Sequence, residues 1–234
     1  GLCIGQNNQP APKSVFKIAV DSLAKLQKEN KFQASLDGGM QLLKSKPIVG
    51  PKDSIAYLKL YGVIGINNRQ LGNWDEALTA FQKVSSIIEQ SSELSKNPKE
   101  LAIGYMNTGN IYAINHHYEK ASELYNKAKG FAQKDTSAYG RVIEAYCIFN
   151  IGLSHANQFE LAQSIEYFKQ SLVTIKLGNP KQRLISQIYS DLGRSFMDIG
   201  ELDSARYYLA KGLDWANEYG LNWVPNQLNL LEQL

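Results

Sequence analysis

The sequence repeats itself every 41 to 44 residues, and this repeat constrains the fold more than any other feature. Four registers align on glycines at positions 65, 109, 152 and 193. A small residue follows each glycine after twelve positions: Ala77, Ala121, Ser164 and Ala205. A bulky apolar residue follows after sixteen: Phe81, Tyr125, Phe168 and Leu209. Self-similarity at such a period is typical of a solenoid, in which each repeat is one supersecondary unit.

The alternation of glycine, small residue and bulky residue predicts pairs of closely packed helices. Glycine and alanine on facing helices let two backbones approach, and large side chains fill the space beside them. In the segment 74–91 the apolar residues Leu78, Phe81, Val84 and Ile88 recur with a helical period. The sequence therefore predicts an all-α fold built of antiparallel helix hairpins.

Five hairpins are predicted, over residues 14–46, 54–92, 99–134, 138–177 and 181–219. The first is interpreted as a degenerate N-terminal capping repeat, because residues 31–36 parallel residues 73–78 although Gly39 stands where Phe81 would be. Residues 1–13 are predicted to be a disordered linker or the remnant of a targeting segment. Residues 221–234 are predicted to be a C-terminal capping helix or the start of a further repeat.

The repeated residues resemble the tetratricopeptide repeat. The second full repeat places Tyr105, Gly109, Tyr112, Tyr118, Ala121, Tyr125 and Ala128 on the family positions, and the fourth supplies Tyr189, Leu192, Gly193, Phe196, Ala205 and Gly212. The resemblance covers residues 14–220 and implies a right-handed superhelical solenoid. The period exceeds the family's value of about 34 residues, as in the extended repeats of bacterial regulatory and signalling proteins.

The resemblance also implies a binding surface, because the first helix of each hairpin lines the concave face in this family. Counting from each glycine places Asn107, Asn110, Asn150, Met106, Tyr146, Phe149, Leu153 and Arg194 there. A side-chain amide can donate to and accept from the backbone of an extended peptide, which makes the asparagines candidates for peptide binding. The alternatives are that the amides join neighbouring helices and that the apolar residues belong to the core.

The function predicted from these features is a non-catalytic scaffold that binds a protein or peptide, without cofactor or metal. An alternative is a sensory or regulatory segment of a larger bacterial signalling protein with a kinase or transcription-regulator output. A remote alternative is a cysteine hydrolase using Cys147 and a histidine. The family's basic clamp for a C-terminal carboxylate is not present in the sequence, since Gly62 and Met106 stand where its first lysine would be.

The composition of the chain limits which classes of partner it can bind. The formal net charge is +3 with the basic residues scattered among acidic ones, which argues against direct nucleic-acid binding. No run approaches eighteen apolar residues, so we expect no membrane insertion by this segment. The compartment stays open between cytoplasmic and exported or periplasmic, because the first residues resemble the tail of a trimmed secretory signal. The oligomeric state is open as well.

Overall fold

The computed structural model describes residues 15–45, 54–90, 97–179 and 181–219. Within these ranges the chain forms ten α-helices and no strand. In chain order the helices are α1 (Val15–Lys28), α2 (Phe32–Lys44), α3 (Ser54–Gln70), α4 (Trp74–Gln90), α5 (Pro98–Ile114), α6 (Tyr118–Ala132), α7 (Ala138–Asn157), α8 (Leu161–Gly178), α9 (Leu184–Asp198) and α10 (Leu202–Glu218). The predicted all-α fold is confirmed.

The helices pair into successive hairpins, with an odd-numbered helix first and an even-numbered helix second. The second helix of each hairpin packs against its own partner and against the first helix of the next hairpin. The first helices also contact one another in sequence, from α1 through α3, α5 and α7 to α9. The odd-numbered helices therefore form one continuous layer, which we call the A layer.

The repeated glycines make the closest approaches within the hairpins. A Cβ atom on Gly65 would lie 2.6 Å from the ring of Phe81, and one on Gly109 would lie 2.7 Å from the ring of Tyr125. The same contact joins Gly152 to Phe168 and Gly193 to Leu209. The small residues twelve positions after the glycines are all fully buried. The spacing read from the sequence is thus the spacing of the contacts that close each hairpin.

The first hairpin closes through a different pair of residues. Leu23 stands at the glycine position of α1, and Gly39 stands at the bulky position of α2. A Cβ on Gly38 would lie 2.7 Å from Leu23, and one on Gly39 would lie 3.0 Å from Ile64 of α3. In this hairpin the bulky side chain is Leu23 of the first helix, and it packs against Gly38 of the second helix. Gly39 leaves room for Ile64 of the next hairpin, which accounts for a glycine where the full repeats have a bulky residue.

Each turn inside a hairpin contains one residue with left-handed backbone. These residues are Asn30, Gly72, His116, Phe159 and Gly200, with φ between 58° and 82°. They occupy the same position in every hairpin, so the turns repeat with the period of the sequence. Phe159 is the unusual member, because a bulky side chain is disfavoured at positive φ and this one is 87% exposed.

The predictions for residues 1–13 and 221–234 concern segments outside the described residues.

Replacing Gly109 by alanine should destabilise the fold by about 1–3 kcal/mol, because the added methyl would collide with a buried ring whose hydroxyl is fixed by a hydrogen bond to Asn110. Gly130, on α6, is the matched control. A Cβ there meets nothing within 4 Å, so Gly130→Ala should stabilise the helix by about 0.5–1 kcal/mol. Urea unfolding followed by circular dichroism measures both variants, and equal effects of one sign would contradict the hairpin packing.

Replacing Phe159 by glycine should raise the free energy of unfolding by about 0.5–1 kcal/mol. The change relieves left-handed strain, and the exposed ring contributes little burial. The reverse change at the equivalent position, Gly72→Phe, should lower stability by a similar amount. The same unfolding experiment tests both, and a destabilising Phe159→Gly would show that the ring makes a contact the fold needs.

Candidate functional site

A groove of about 910 Å³ runs across the A layer. Side chains of α5, α7 and α9 line it, with contributions from Arg69 at the end of α3 and from Tyr125 on α6. Six residues assigned to the concave face from the sequence lie in this groove: Met106, Asn110, Tyr146, Phe149, Asn150 and Leu153. One stretch of the A layer therefore brings most of the predicted site together.

Two predicted site residues lie outside the lining of the groove. Asn107 is half-buried on α5, next in sequence to Met106, which does line it. Arg194 is exposed on α9. Their counterparts in neighbouring repeats do line the groove: Asn150 corresponds to Asn107, and Leu153 corresponds to Arg194. The groove reaches α9 only at its first turn, so Arg194 lies beyond it.

Asn110 and Asn150 face each other between α5 and α7. The side-chain oxygen of Asn110 accepts two hydrogen bonds of 3.0 Å, one from the Tyr125 hydroxyl and one from Nδ2 of Asn150. These bonds join α5 to α6 and to α7. No described residue forms a hydrogen bond with Nδ2 of Asn110 or with the side-chain oxygen of Asn150. The pair therefore keeps one donor and one acceptor that the described residues do not use.

The apolar lining belongs partly to the core. Phe149 is 5% exposed, and its ring centroid lies 5.4 Å from that of Phe168. Met106, Tyr146 and Leu153 are half-buried and pack against the buried clusters beneath the groove. These residues form the floor of the groove: they pack against the core below and are partly accessible from above. The two interpretations given from the sequence, core packing and a binding surface, therefore both apply to them.

Sequence reasoning missed the two arginines of the groove. Arg69 lies four residues after its repeat glycine, where the other full repeats have Ala113, Ala156 and Met197. Arg183 directly precedes α9. Comparing the fourth residue after each repeat glycine would have singled out Arg69 as the only cation at this position in the full repeats. Arg183 carried no such signal, because only the packing of α9 beside α7 brings it to the groove.

Two tyrosines of the groove, Tyr125 and Tyr146, have raised pKa values. Burial raises the pKa of the Tyr125 hydroxyl, and the nearby Cys147 adds to the shift while Arg69 opposes it. Burial also raises the pKa of Tyr146, against the opposing charge of Arg183. Both hydroxyls are therefore hydrogen-bond donors throughout the physiological pH range.

Cys147 lacks the surroundings of a catalytic nucleophile. Its thiol is fully buried in the core, and burial raises its pKa to about 12. The histidines are engaged at the turns: His116 bonds to the Tyr118 hydroxyl, and His155 bonds to Glu160 and stacks on Tyr167. A thiol with this pKa holds almost no thiolate at neutral pH, so it cannot attack a substrate efficiently.

Among the described residues no three His, Cys, Asp or Glu side chains gather closely enough to hold a metal ion. The search for membrane-spanning segments, made on the same residues, finds no helix with the length and apolar character to cross a bilayer.

Solved structures with similar folds are helical repeat proteins. BtubC from P. vanneervenii superposes with a TM-score of 0.67 at 13% sequence identity, over 94% of this chain and 83% of that one. TPR-like repeats of a putative kinesin light chain from P. anserina give 0.68 at 13% identity, over 88% and 98%. MamA from Desulfovibrio magneticus RS-1 gives 0.59 at 16% identity, over 87% and 96%.

At these identities the likeness shows the fold, which is the TPR-like solenoid that the repeat pattern predicted. The sequence matches no protein-family model and no curated protein.

Alkylation of Cys147 should be at least about a hundredfold slower in the folded protein than in urea, because the thiol is buried and its pKa is raised to about 12. Iodoacetamide labelling at pH 8 followed by peptide mass mapping distinguishes Cys147 from Cys3. Rapid labelling of Cys147 in the folded protein would restore the cysteine hydrolase as an alternative.

Proposed function

We propose that this chain is a non-catalytic scaffold that holds an extended peptide segment of a partner protein in the groove of the A layer. The observation that carries the proposal is the pair formed by Asn110 and Asn150. Their amides support each other through one hydrogen bond, and they leave a donor and an acceptor without a partner among the described residues.

A peptide group offers the complementary acceptor and donor. An extended chain passing between α5 and α7 can accept from Nδ2 of Asn110 and donate to the side-chain oxygen of Asn150. Such contacts bind the backbone of the ligand without selecting its side chains. The Tyr125 hydroxyl bond holds the Asn110 amide in place beforehand, so less side-chain entropy is lost on binding.

The floor of the groove supplies the apolar part of the interaction. Met106 and Leu153 expose part of their surface beside the asparagines. An apolar side chain of the ligand laid against them is removed from water, which contributes roughly 25 cal/mol per Å² of buried apolar surface. Binding grooves are usually lined by apolar side chains with a small number of polar groups among them. The core beneath keeps these walls from moving, so the scaffold binds in a pre-formed shape.

The single change Asn150→Ala should weaken peptide binding about two- to tenfold, the effect of losing one or two hydrogen bonds. The probe is a fluorescein-labelled peptide selected by phage display on the folded 234-residue chain. Fluorescence polarisation measures its affinity. Asn110 is left intact in this test, because its loss would also remove the partner of the buried Tyr125 hydroxyl.

The control variant is Asn126→Ala, which removes an exposed amide on α6 that bonds only within its own helix turn. It should leave the affinity unchanged. Asn107→Ala tests the third asparagine that the sequence assigned to this surface. Equal affinities for the native chain and Asn150→Ala would place peptide binding elsewhere, and a display selection without any binder would contradict the proposed function.

A further inference from the structure

We propose that the groove selects acidic peptides: a carboxylate of the ligand pairs with Arg69, another pairs with Arg183, and an apolar side chain between them lies on Met106 and Leu153. This inference rests on the proposed function and adds the chemical class of the ligand. Three observations carry it: the composition of the lining, the lack of an acidic partner for either guanidinium group among the described residues, and the placement of both groups at the groove.

The described lining of the groove is cationic and contains no carboxylate. Its arginines are Arg69 and Arg183, and its other titratable side chains are His116 and the tyrosines. The chain as a whole carries nearly balanced charge, with 25 basic and 22 acidic residues. A groove of this size without an acidic residue is therefore a local feature, and it favours a ligand of negative charge.

Some cations elsewhere on the described helices are paired with acidic neighbours. Lys59 lies 3.2 Å from Glu100, and Lys120 and Lys127 both lie within 3.0 Å of Glu123. Neither groove arginine has such a partner among the described residues. The planar guanidinium of an arginine binds a carboxylate with two parallel hydrogen bonds. Each groove arginine, which has no acidic partner among the described residues, is therefore available to a carboxylate of a ligand.

Arg69 is the stronger of the two sites, because its side chain is half-buried. Burial lowers the pKa of its guanidinium, against the favourable effect of the nearby Tyr125 hydroxyl. Withdrawing a cation from water without a counter-charge costs stability. Arg69 carries this cost in stability at the edge of the groove, and a carboxylate of a bound ligand would offset it.

The two arginines stand at opposite corners of the groove. The odd-numbered helices run parallel to one another, since each is the first helix of its hairpin. Arg69 lies in the last turn of α3, whereas Arg183 precedes the first turn of α9. A ligand that meets both must cross α5 and α7 diagonally, and on the way it passes the Asn110–Asn150 pair and the apolar floor. The corners thus set the order acidic, apolar, acidic along the ligand.

The test compares peptides and variants in one experiment. Phage-displayed random peptides are selected on the intact chain, and the recovered sequences should be enriched in Asp and Glu on both sides of an apolar residue. A fluorescein-labelled peptide from that pool should bind about tenfold more weakly to Arg69→Gln and to Arg183→Gln. Replacing its acidic residues by Gln should remove the difference between these variants and the native chain.

Arg194→Gln is the matched control, because Arg194 is an exposed arginine of α9 outside the lining of the groove. It should bind the peptide like the native chain. Thermal unfolding provides a second readout: Arg69→Gln should be at least as stable as the native chain, since it removes a half-buried charge that has no described partner. A binding loss with unchanged stability separates ligand recognition from a structural effect.

The outcomes distinguish this inference from the proposed function. Selected peptides that weaken with Asn150→Ala but show no acidic enrichment, or that bind both arginine variants normally, overturn the acidic ligand and leave the peptide scaffold standing. An equal loss in Arg194→Gln also overturns it, because the effect would then reflect overall charge. Recovery of no peptide at all overturns the proposed function and this inference with it.

Discussion

The close contact between a glycine on one helix and a bulky side chain on its partner is the interaction on which the rest of this structure depends. It lets α5 and α6 approach until the ring of Tyr125 lies over Gly109, and equivalent contacts close the other full hairpins. A hairpin alone cannot bury both of its faces, so each one packs against the next. The A layer, and with it the groove, follows from repeating that one contact.

The groove shows how a core contact also prepares a binding surface. The ring of Tyr125 fills the space beside Gly109, and its hydroxyl donates a hydrogen bond to the side-chain oxygen of Asn110. Asn110 in turn accepts from Asn150, so a chain of hydrogen bonds runs from inside one hairpin to the surface of the next. Packing thereby fixes the orientation of amides that are partly exposed, and a fixed amide is a better partner for a peptide than a mobile one.

Two features of the chain carry a cost that the fold alone does not explain. Phe159 holds a bulky side chain in left-handed backbone while remaining exposed, and Arg69 holds a half-buried cation without a described counter-charge. Most natural chains keep such costs where function uses them. Arg69 borders the groove and has a role in the acidic-ligand proposal. None of the described residues makes a contact that explains Phe159.

The sequence by itself determined the helices, their pairing and the residues that close each hairpin, because glycine, small and bulky residues recur at fixed spacing and each contact lies within one repeat. It also placed Asn110 and Asn150 on the A layer. Tertiary structure alone decided that their amides bond to each other, that Arg183 reaches the same groove as Arg69, and that Leu23 packs against Gly38. Those outcomes depend on how successive hairpins rotate and stack. The residues involved occupy different positions of their repeats, so the periodic pattern of the sequence does not reveal them.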